Sequence, residues 1–193
     1  KDIEGATTYT QMLNSNGGIE ADLTVTCIEK NNFRVISGAA VRTHDKKHIL
    51  SNLKFDVEFN DITEDFVCLG IFGPKSRKLL NELVGDKFNT EKFPFATGKY
   101  LNLLGISIWF QRLSYVGELG WEIYIPMKNA KKIYDSIIEV GKNHSLIHAG
   151  AHAMDIMRME KMYLHWGHDI SPEENPYQAG LGFVVQLDKK QDF

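Results

Sequence analysis

The sequence predicts an α+β fold of mixed antiparallel sheets with packed helices. Three observations carry this expectation. Short strand-like runs are joined by tight turn signals, helical spacing occurs in four separate segments, and no glycine-rich fingerprint marks a parallel βαβ unit. With 193 residues, 43% hydrophobic and 24% charged, the chain has material for one substantial core or two small ones.

The elements follow in order. Residues 7–13 alternate loosely and stop at Asn14-Ser15-Asn16-Gly17-Gly18, a strong turn signal. Runs 23–28 and 33–37, separated by Glu29-Lys30-Asn31-Asn32, read as a hairpin. Gly38-Ala39-Ala40 leads into residues 44–53, which have helical spacing. After residues 56–61 comes an apolar strand, 66–72, broken by Gly73-Pro74. Residues 76–83 then read as a helix with Pro74 near its first turn. Residues 101–110 and 123–126 are strand candidates flanking Ser114-Tyr115-Val116-Gly117-Glu118-Leu119-Gly120. Residues 129–142 form an amphipathic helix striped by Ile133, Ile137, Ile138 and Val140. A further helix spans 149–163, where Met154, Ile156, Met157, Met159 and Met162 read as core. Residues 180–187 close the chain as a strand.

Composition narrows the function classes. A net charge of −3 offers no broad attraction to nucleic acid or an anionic membrane, which leaves a small-molecule site or a protein surface. No run of about 18 apolar residues exists to span a membrane. The two cysteines, Cys27 and Cys68, lie in apolar runs and read as small buried hydrophobes in a reducing compartment. The start, Lys1-Asp2-Ile3-Glu4, has no signal-peptide character, and the end, Lys189-Lys190-Gln191-Asp192-Phe193, follows a strand-like run without a stop. Both read as cuts, so residues 1–193 are expected to be one domain truncated at both ends.

Nucleotide motifs are missing: Gly180-Leu181-Gly182 has Val185 where a third glycine belongs, and no Walker A run occurs. His44/His48 and His148/His152 have the i,i+4 spacing of metal ligands but no H-E-x-x-H context, so they read as unliganded surface pairs and no metal is expected. Asp22 stands after a Gly-Gly turn and just before an apolar strand. It is either a proton acceptor tuned by apolar neighbours or a turn and strand-edge residue. The densest constellation is Arg112-Leu113-Ser114-Tyr115-Val116-Gly117-Glu118-Leu119-Gly120-Trp121-Glu122-Ile123-Tyr124. Tyr115 and Trp121 offer aromatic faces, and Glu118 and Glu122 offer acceptors, the set that a flat heterocycle bearing an amino-amide edge, such as a pterin, needs. A hairpin with cross-strand aromatic pairs explains the same pattern. Asp155 and Arg158, at i,i+3, can pair.

These pieces together resemble the aminomethyltransferase (glycine-cleavage T-protein) family. The carrying motifs are Tyr9-Thr10-Gln11-Met12-Leu13-Asn14 with Gly17-Gly18-Ile19 and Asp22; Gly70-Ile71-Phe72-Gly73-Pro74; Tyr115 to Glu122; and Arg158-Met159-Glu160-Lys161. Ala21-Asp22-Leu23-Thr24-Val25, S-Y-V-G-E-L-G-W-E over Ser114 to Glu122, and Glu160-Lys161 with Trp166-Gly167 are most similar to the folate domains of dimethylglycine and sarcosine dehydrogenases. The resemblance implies an incomplete T-protein-like folate-binding fold, with tetrahydrofolate as cofactor and a one-carbon donor as partner. It implies that Asp22 is the catalytic carboxylate beside the reacting nitrogens. Tyr115 would line the pterin pocket, Glu122 rather than Glu118 would hold the amino-amide edge, and Arg158 and Glu160 would be structural.

Two departures from the T-protein itself point to the dehydrogenase branch: Met154 stands where an arginine usually contacts the folate tail, and Ala21-Asp22 stands where paired aspartates are common. The resemblance also places an FAD domain upstream and a β-rich domain downstream, both outside this chain. The implied reaction is N-demethylation, with carbon from an oxidised N-methyl amine giving 5,10-methylenetetrahydrofolate. The implied location is the cytoplasm in a bacterium or the mitochondrial matrix in a eukaryote. A stand-alone folate-dependent demethylase or aminomethyltransferase, and a non-catalytic regulatory domain of the same fold, are the rival readings.

Overall fold

A computed structural model of the chain describes residues 3–54 and 56–188. Lys1-Asp2 and residues 189–193, read above as parts of the two cut ends, lie outside the described residues.

The first sheet is an antiparallel meander of β1 (Thr7–Leu13), β2 (Ile19–Glu29) and β3 (Asn32–Ser37). β2 begins at Ile19 because the Asn14–Gly18 turn closes tightly. The Asn14 side-chain oxygen accepts the N–H groups of Asn16 and Gly18, each at 2.9 Å. Gly18 is required there, since a Cβ would stand 1.8 Å from the Pro172 carbonyl oxygen. Asp22 therefore lies inside a strand rather than ahead of it. Strand alternation puts Asp22, Thr24 and Thr26 on one face of β2. Their cross-strand mates are Gln11, Tyr9 and Thr7 on β1, with Ile36 and Arg34 on β3.

The chain continues through α1 (Arg42–Asn52), β4 (Phe66–Phe72), α2 (Ser76–Val84), β5 (Gly98–Leu103), β6 (Ile106–Gln111) and β7 (Gly120–Pro126). Then come α3 (Ala130–Gly141) and α4 (Ala151–Glu160). The second sheet has the order β4-β7-β6-β5, antiparallel throughout. Residues 101–110 are thus not one strand but parts of two. The chain reverses at Leu104 and Gly105, with φ of 54° and 82°, the two left-handed residues of a tight hairpin turn.

One face of this sheet is apolar. Ile71, Ile108, Phe110, Trp121, Ile123 and Ile125 pack with Leu79 and Leu80 of α2, Ile133 and Ile137 of α3, and Phe88 and Phe93 between them. Each fully buried side chain of this size contributes about 1.5–3 kcal/mol. The other face carries Phe66, Cys68 and Gly70 of β4, Glu122 and Tyr124 of β7, Trp109 and Gln111 of β6, and Gly98 and Tyr100 of β5. That alternation explains why Cys68 is exposed, contrary to the buried reading, whereas Cys27 is buried.

Two expectations fail in the last third. Residues 180–187 form no strand; a short 3₁₀ turn occupies Gly182–Val184, and the N–H groups of Val184 and Val185 bond back to Leu181 and Gly182. The methionine stripe of α4 is not core either, because Met154, Ile156, Met159 and Met162 are all exposed. The buried position of α4 is held by Arg158. Arg158 donates to Asp155 at 2.8 Å, to the Tyr163 carbonyl at 3.0 Å and to the Asp169 carboxylate. The i,i+3 pairing expected with Asp155 forms. Burial works against the Asp169 charge, but hydrogen bonds from His168, the His165 N–H and Arg158 outweigh it and hold the carboxyl down at about 2.

Among the described residues no helix is long and apolar enough to cross a membrane. Because Arg158 ties α4 to the segment after it, Arg158→Leu is expected to lower unfolding stability in urea by about 3 kcal/mol. A loss under about 0.5 kcal/mol, the range of a surface substitution, would contradict this anchoring role.

Candidate functional site

The two polar faces meet. Thr7 and Thr26 hydroxyls are 2.8 Å apart, and Thr26 donates to Gln111 Oε1 at 3.4 Å, joining β2 to β6. All three residues are buried. Beside this row the Arg34 guanidinium of β3 lies over the rings of Trp109, Phe66 and Tyr124 at 5.3, 5.5 and 5.7 Å. It also donates to the Tyr100 hydroxyl at 3.2 Å. Backbone bonds from Gly98 N–H to Gly5 O and from Thr7 N–H to Ala96 O, 2.7 and 2.9 Å, add a peptide connection. The sheet carrying Asp22 is thereby fixed against the sheet carrying Glu122.

Asp22 is half-buried on the polar face. Its Oδ1 accepts from Gln11 Nε2 at 2.8 Å. Burial raises its pKa above the ordinary aspartate value; Gln11 and the Tyr9 hydroxyl oppose that rise, and the charge of Asp45 adds to it. The Tyr9 hydroxyl is itself pushed up, first by burial and then by the charge of Asp22. Such a carboxyl is a stronger proton acceptor than one in water.

Tyr115 sits in the loop between β6 and β7. Its hydroxyl donates to the Leu164 carbonyl at 3.0 Å, and its ring stacks with Tyr163 at 6.5 Å between centroids. Gly117, at φ +66°, lets the loop pass close to Lys161, where a Cβ would come within 2.4 Å of the lysine stem. Lys161 in turn lies 3.7 Å from Glu118. The loop thus rests on the segment that Arg158 anchors. Burial raises the Tyr115 pKa, with Asp22 among the charges that contribute.

Glu122 projects from β7 on the polar face, between Gly70 and Gln111 on the neighbouring strands. Burial raises its pKa, and a 2.5 Å hydrogen bond from the Tyr124 hydroxyl holds that rise back. Trp121, the next residue, points the opposite way. It is fully buried, edge-on to Phe88 at 5.2 Å and under the guanidinium groups of Arg112 and Arg77 at 5.6 and 5.9 Å. The aromatic face expected from Trp121 therefore belongs to the core, and Glu118 pairs with lysine instead of serving the polar face.

Tyr9, Gln11 and Gln111 escaped sequence reasoning. Tyr9-x-Gln11 has the alternation of one strand face, yet only the β1–β2 register sets these two beside Asp22. A groove of about 720 Å³ runs between Thr7–Tyr9 and residues 183–188; it borders Tyr9 but contains neither Asp22 nor Glu122. Of the histidine pairs, His44 contacts Glu20 and Asp45, each at 3.0 Å, and His148 contacts the Tyr134 hydroxyl at 2.7 Å. Among the described residues no cluster of three or more His, Cys, Asp or Glu side chains could hold a metal.

Two apposed polar faces thus carry two half-buried carboxyl groups, Asp22 and Glu122, whose pKa values are raised. The chain belongs to the GCVT N-terminal domain family, whose model matches residues 1–189. It is 38% identical to human mitochondrial sarcosine dehydrogenase over 95% of its length, which is 22% of that protein. Human mitochondrial dimethylglycine dehydrogenase is 34% identical over 98% of the chain and 22% of its own length. The aminomethyltransferase of Halothermothrix orenii is 32% identical over 96% of the chain, with 52% of that enzyme covered. The chain thus spans about a fifth of the dehydrogenases and about half of the aminomethyltransferase. The crystal structure of glycine cleavage system aminomethyltransferase T from Bartonella henselae superposes with a TM-score of 0.80, at 22% identity, over 96% of this chain and 49% of that one. The fold is that of the aminomethyltransferases, and the chain is an aminomethyltransferase-type domain related to the sarcosine and dimethylglycine dehydrogenases.

The raised pKa of Asp22 has a stability consequence. Its folded value lies above its unfolded one, so stability falls as pH rises from the unfolded value of about 3.8 through the folded value, and the penalty is complete above it. Asp22→Asn should therefore raise the melting temperature at pH 7, by about 2–4 °C for each kcal/mol relieved. Near pH 3 the gain should vanish. A variant that melts below the parent at pH 7 would show that Asp22 stabilises the fold.

Proposed function

We propose that the chain is the tetrahydrofolate-binding, one-carbon-transfer domain of a dimethylglycine/sarcosine dehydrogenase-like protein, acting during N-demethylation. The carrying observation is the pair of half-buried carboxyl groups with raised pKa, Asp22 and Glu122, on polar faces locked together through Thr26 and Gln111. The residues fit the cofactor. Gln11 Oε1 is buried without a hydrogen-bond partner among the described residues, so an acceptor for a ligand N–H stands next to Asp22.

Tetrahydrofolate, when bound, supplies the nitrogens that carry the one-carbon unit as 5,10-methylenetetrahydrofolate. Glu122 accepts the parallel N–H groups of the pterin's amino-amide edge. Tyr115 gives the ring an aromatic wall, held in place by the Leu164 carbonyl. Asp22 takes up the proton released at the reacting nitrogen, and its burial matches its proton affinity to that task. The carbon would come from an N-methyl amine, with FAD in a separate domain as the oxidant. Met154 is exposed on α4, so the folate tail gains no cation at that position. The 38% and 34% identities to dehydrogenases in which this region is 22% of the length support membership of a longer polypeptide.

Isothermal titration of the full-length protein with tetrahydrofolate tests the pocket. Glu122→Ala should weaken binding about 10- to 100-fold, the worth of hydrogen bonds to a charged group. Unchanged affinity would sink the pterin contact. Asp22→Ala should keep binding but lower turnover about 10²- to 10⁴-fold. Turnover equal to the parent would favour a non-catalytic domain.

A further inference from the structure

Across the second sheet, one register row reads Gly70, Glu122, Gln111, Gly98 on strands β4, β7, β6 and β5. Two polar side chains thus stand side by side, with a glycine on each flank. The space above the glycines is taken by aromatic rings: a Cβ on Gly70 would meet the Phe72 ring at 2.3 Å, and one on Gly98 would meet the Trp109 ring at 2.3 Å. The row is an acceptor beside a donor, between two aromatic walls.

The orientation of the Gln111 amide is forced. Trp109 Nε1–H, which can only donate, lies 3.0 Å from one end of it, so that end is oxygen. The Thr26 hydroxyl donates to the same Oε1 at 3.4 Å. Nε2 must then face away from Trp109, where it is shielded from solvent and has no hydrogen-bond partner among the described residues. A buried unpaired donor is costly, and its persistence in a fully buried side chain calls for a partner. Gln111 and Glu122 are directly opposite on antiparallel strands, where Cβ atoms lie about 4.5–5.5 Å apart, so a ligand lying on this face can meet both side chains. A carboxylate next to a primary amide is complementary to an N–H next to a C=O, the edge of a cyclic lactam.

We propose that Gln111 is a second reader of the bound heterocycle, donating from Nε2 to the ring carbonyl adjacent to the N–H that Glu122 accepts. This rests on the folate reading and deepens it: the pocket selects 4-oxo pterins and rejects those in which an amino group replaces the ring carbonyl, because two donors would then oppose each other. Thr26 and Trp109 hold the amide in that orientation.

The test is isothermal titration of the full-length protein with tetrahydrofolate and with its 4-amino-4-deoxy analogue. The parent should prefer tetrahydrofolate by more than about tenfold. Gln111→Met, similar in shape but lacking the amide, should bind tetrahydrofolate about tenfold more weakly and the analogue no more weakly than before, so the preference shrinks by about that factor. If Gln111→Met does not fold, judged by its melting, Gln111→Asn retracts the amide by one methylene and carries the same expectation. An unchanged preference in a folded variant overturns the role of Gln111 and leaves the folate reading intact; no preference in the parent overturns the role of Gln111 and the Glu122 contact together, because the 4-amino analogue also lacks the ring N–H that Glu122 accepts. Failure of the parent to bind tetrahydrofolate at all overturns the folate reading, and this inference with it.

Discussion

Everything the site can do depends on the buried hydrogen-bonded row from Thr7 through Thr26 and Gln111 to Trp109. It is the polar seam between two sheets that otherwise present unlike faces. Each bond in such a row is worth only about 0.5–1.5 kcal/mol net, yet leaving one of its groups unpaired costs about 1–3 kcal/mol. That asymmetry, more than the gain, fixes how the sheets meet. Arg34 reinforces the arrangement, since its guanidinium is covered by rings from three strands of the other sheet.

The carboxyl groups are perturbed by the protein before any ligand arrives. Burial raises the pKa of Asp22 and of Glu122, and nearby hydroxyl or amide donors oppose each rise. Charge acceptors fixed in place need not reorganise when chemistry begins. The second support of the site is indirect. Arg158 shapes the turn after α4, that turn presents the Leu164 carbonyl, and the carbonyl receives the Tyr115 hydroxyl. An arginine buried on a helix whose methionines face solvent is explained by what it holds beyond the helix.

Much of this was legible in residue order. The strand at Phe66–Phe72 and the helices α2 and α3 follow from periodicity and glycine or proline stops, and the two candidate carboxylates follow from motif resemblance. What stayed hidden has physical causes. Leu104 occupies a left-handed turn position that leucine seldom takes, so the β5–β6 hairpin looked like a continuous strand. Trp121 and Glu122 are neighbours in sequence and opposite in direction, and the strand bounds decide which faces inward. The methionines of α4 have core composition without core burial, because Arg158 takes the inward position. Tyr9, Gln11 and Gln111 matter through cross-strand register, which no single segment encodes.

The apolar cluster has a consequence for how the chain comes apart. Its members, from Leu69 to Leu146, come from the second sheet, its helices and the segments that join them, and none from β1, β2 or β3. The first sheet is joined to it mainly by the polar row, the Arg34 clamp and a few backbone bonds. A sheet outside the main apolar cluster can open before it, so amide protons of β1–β3 should exchange with solvent at a lower free-energy cost than those of β4–β7. A ligand spanning both faces would bind only the closed arrangement, and would tie the weaker unit to the stronger one.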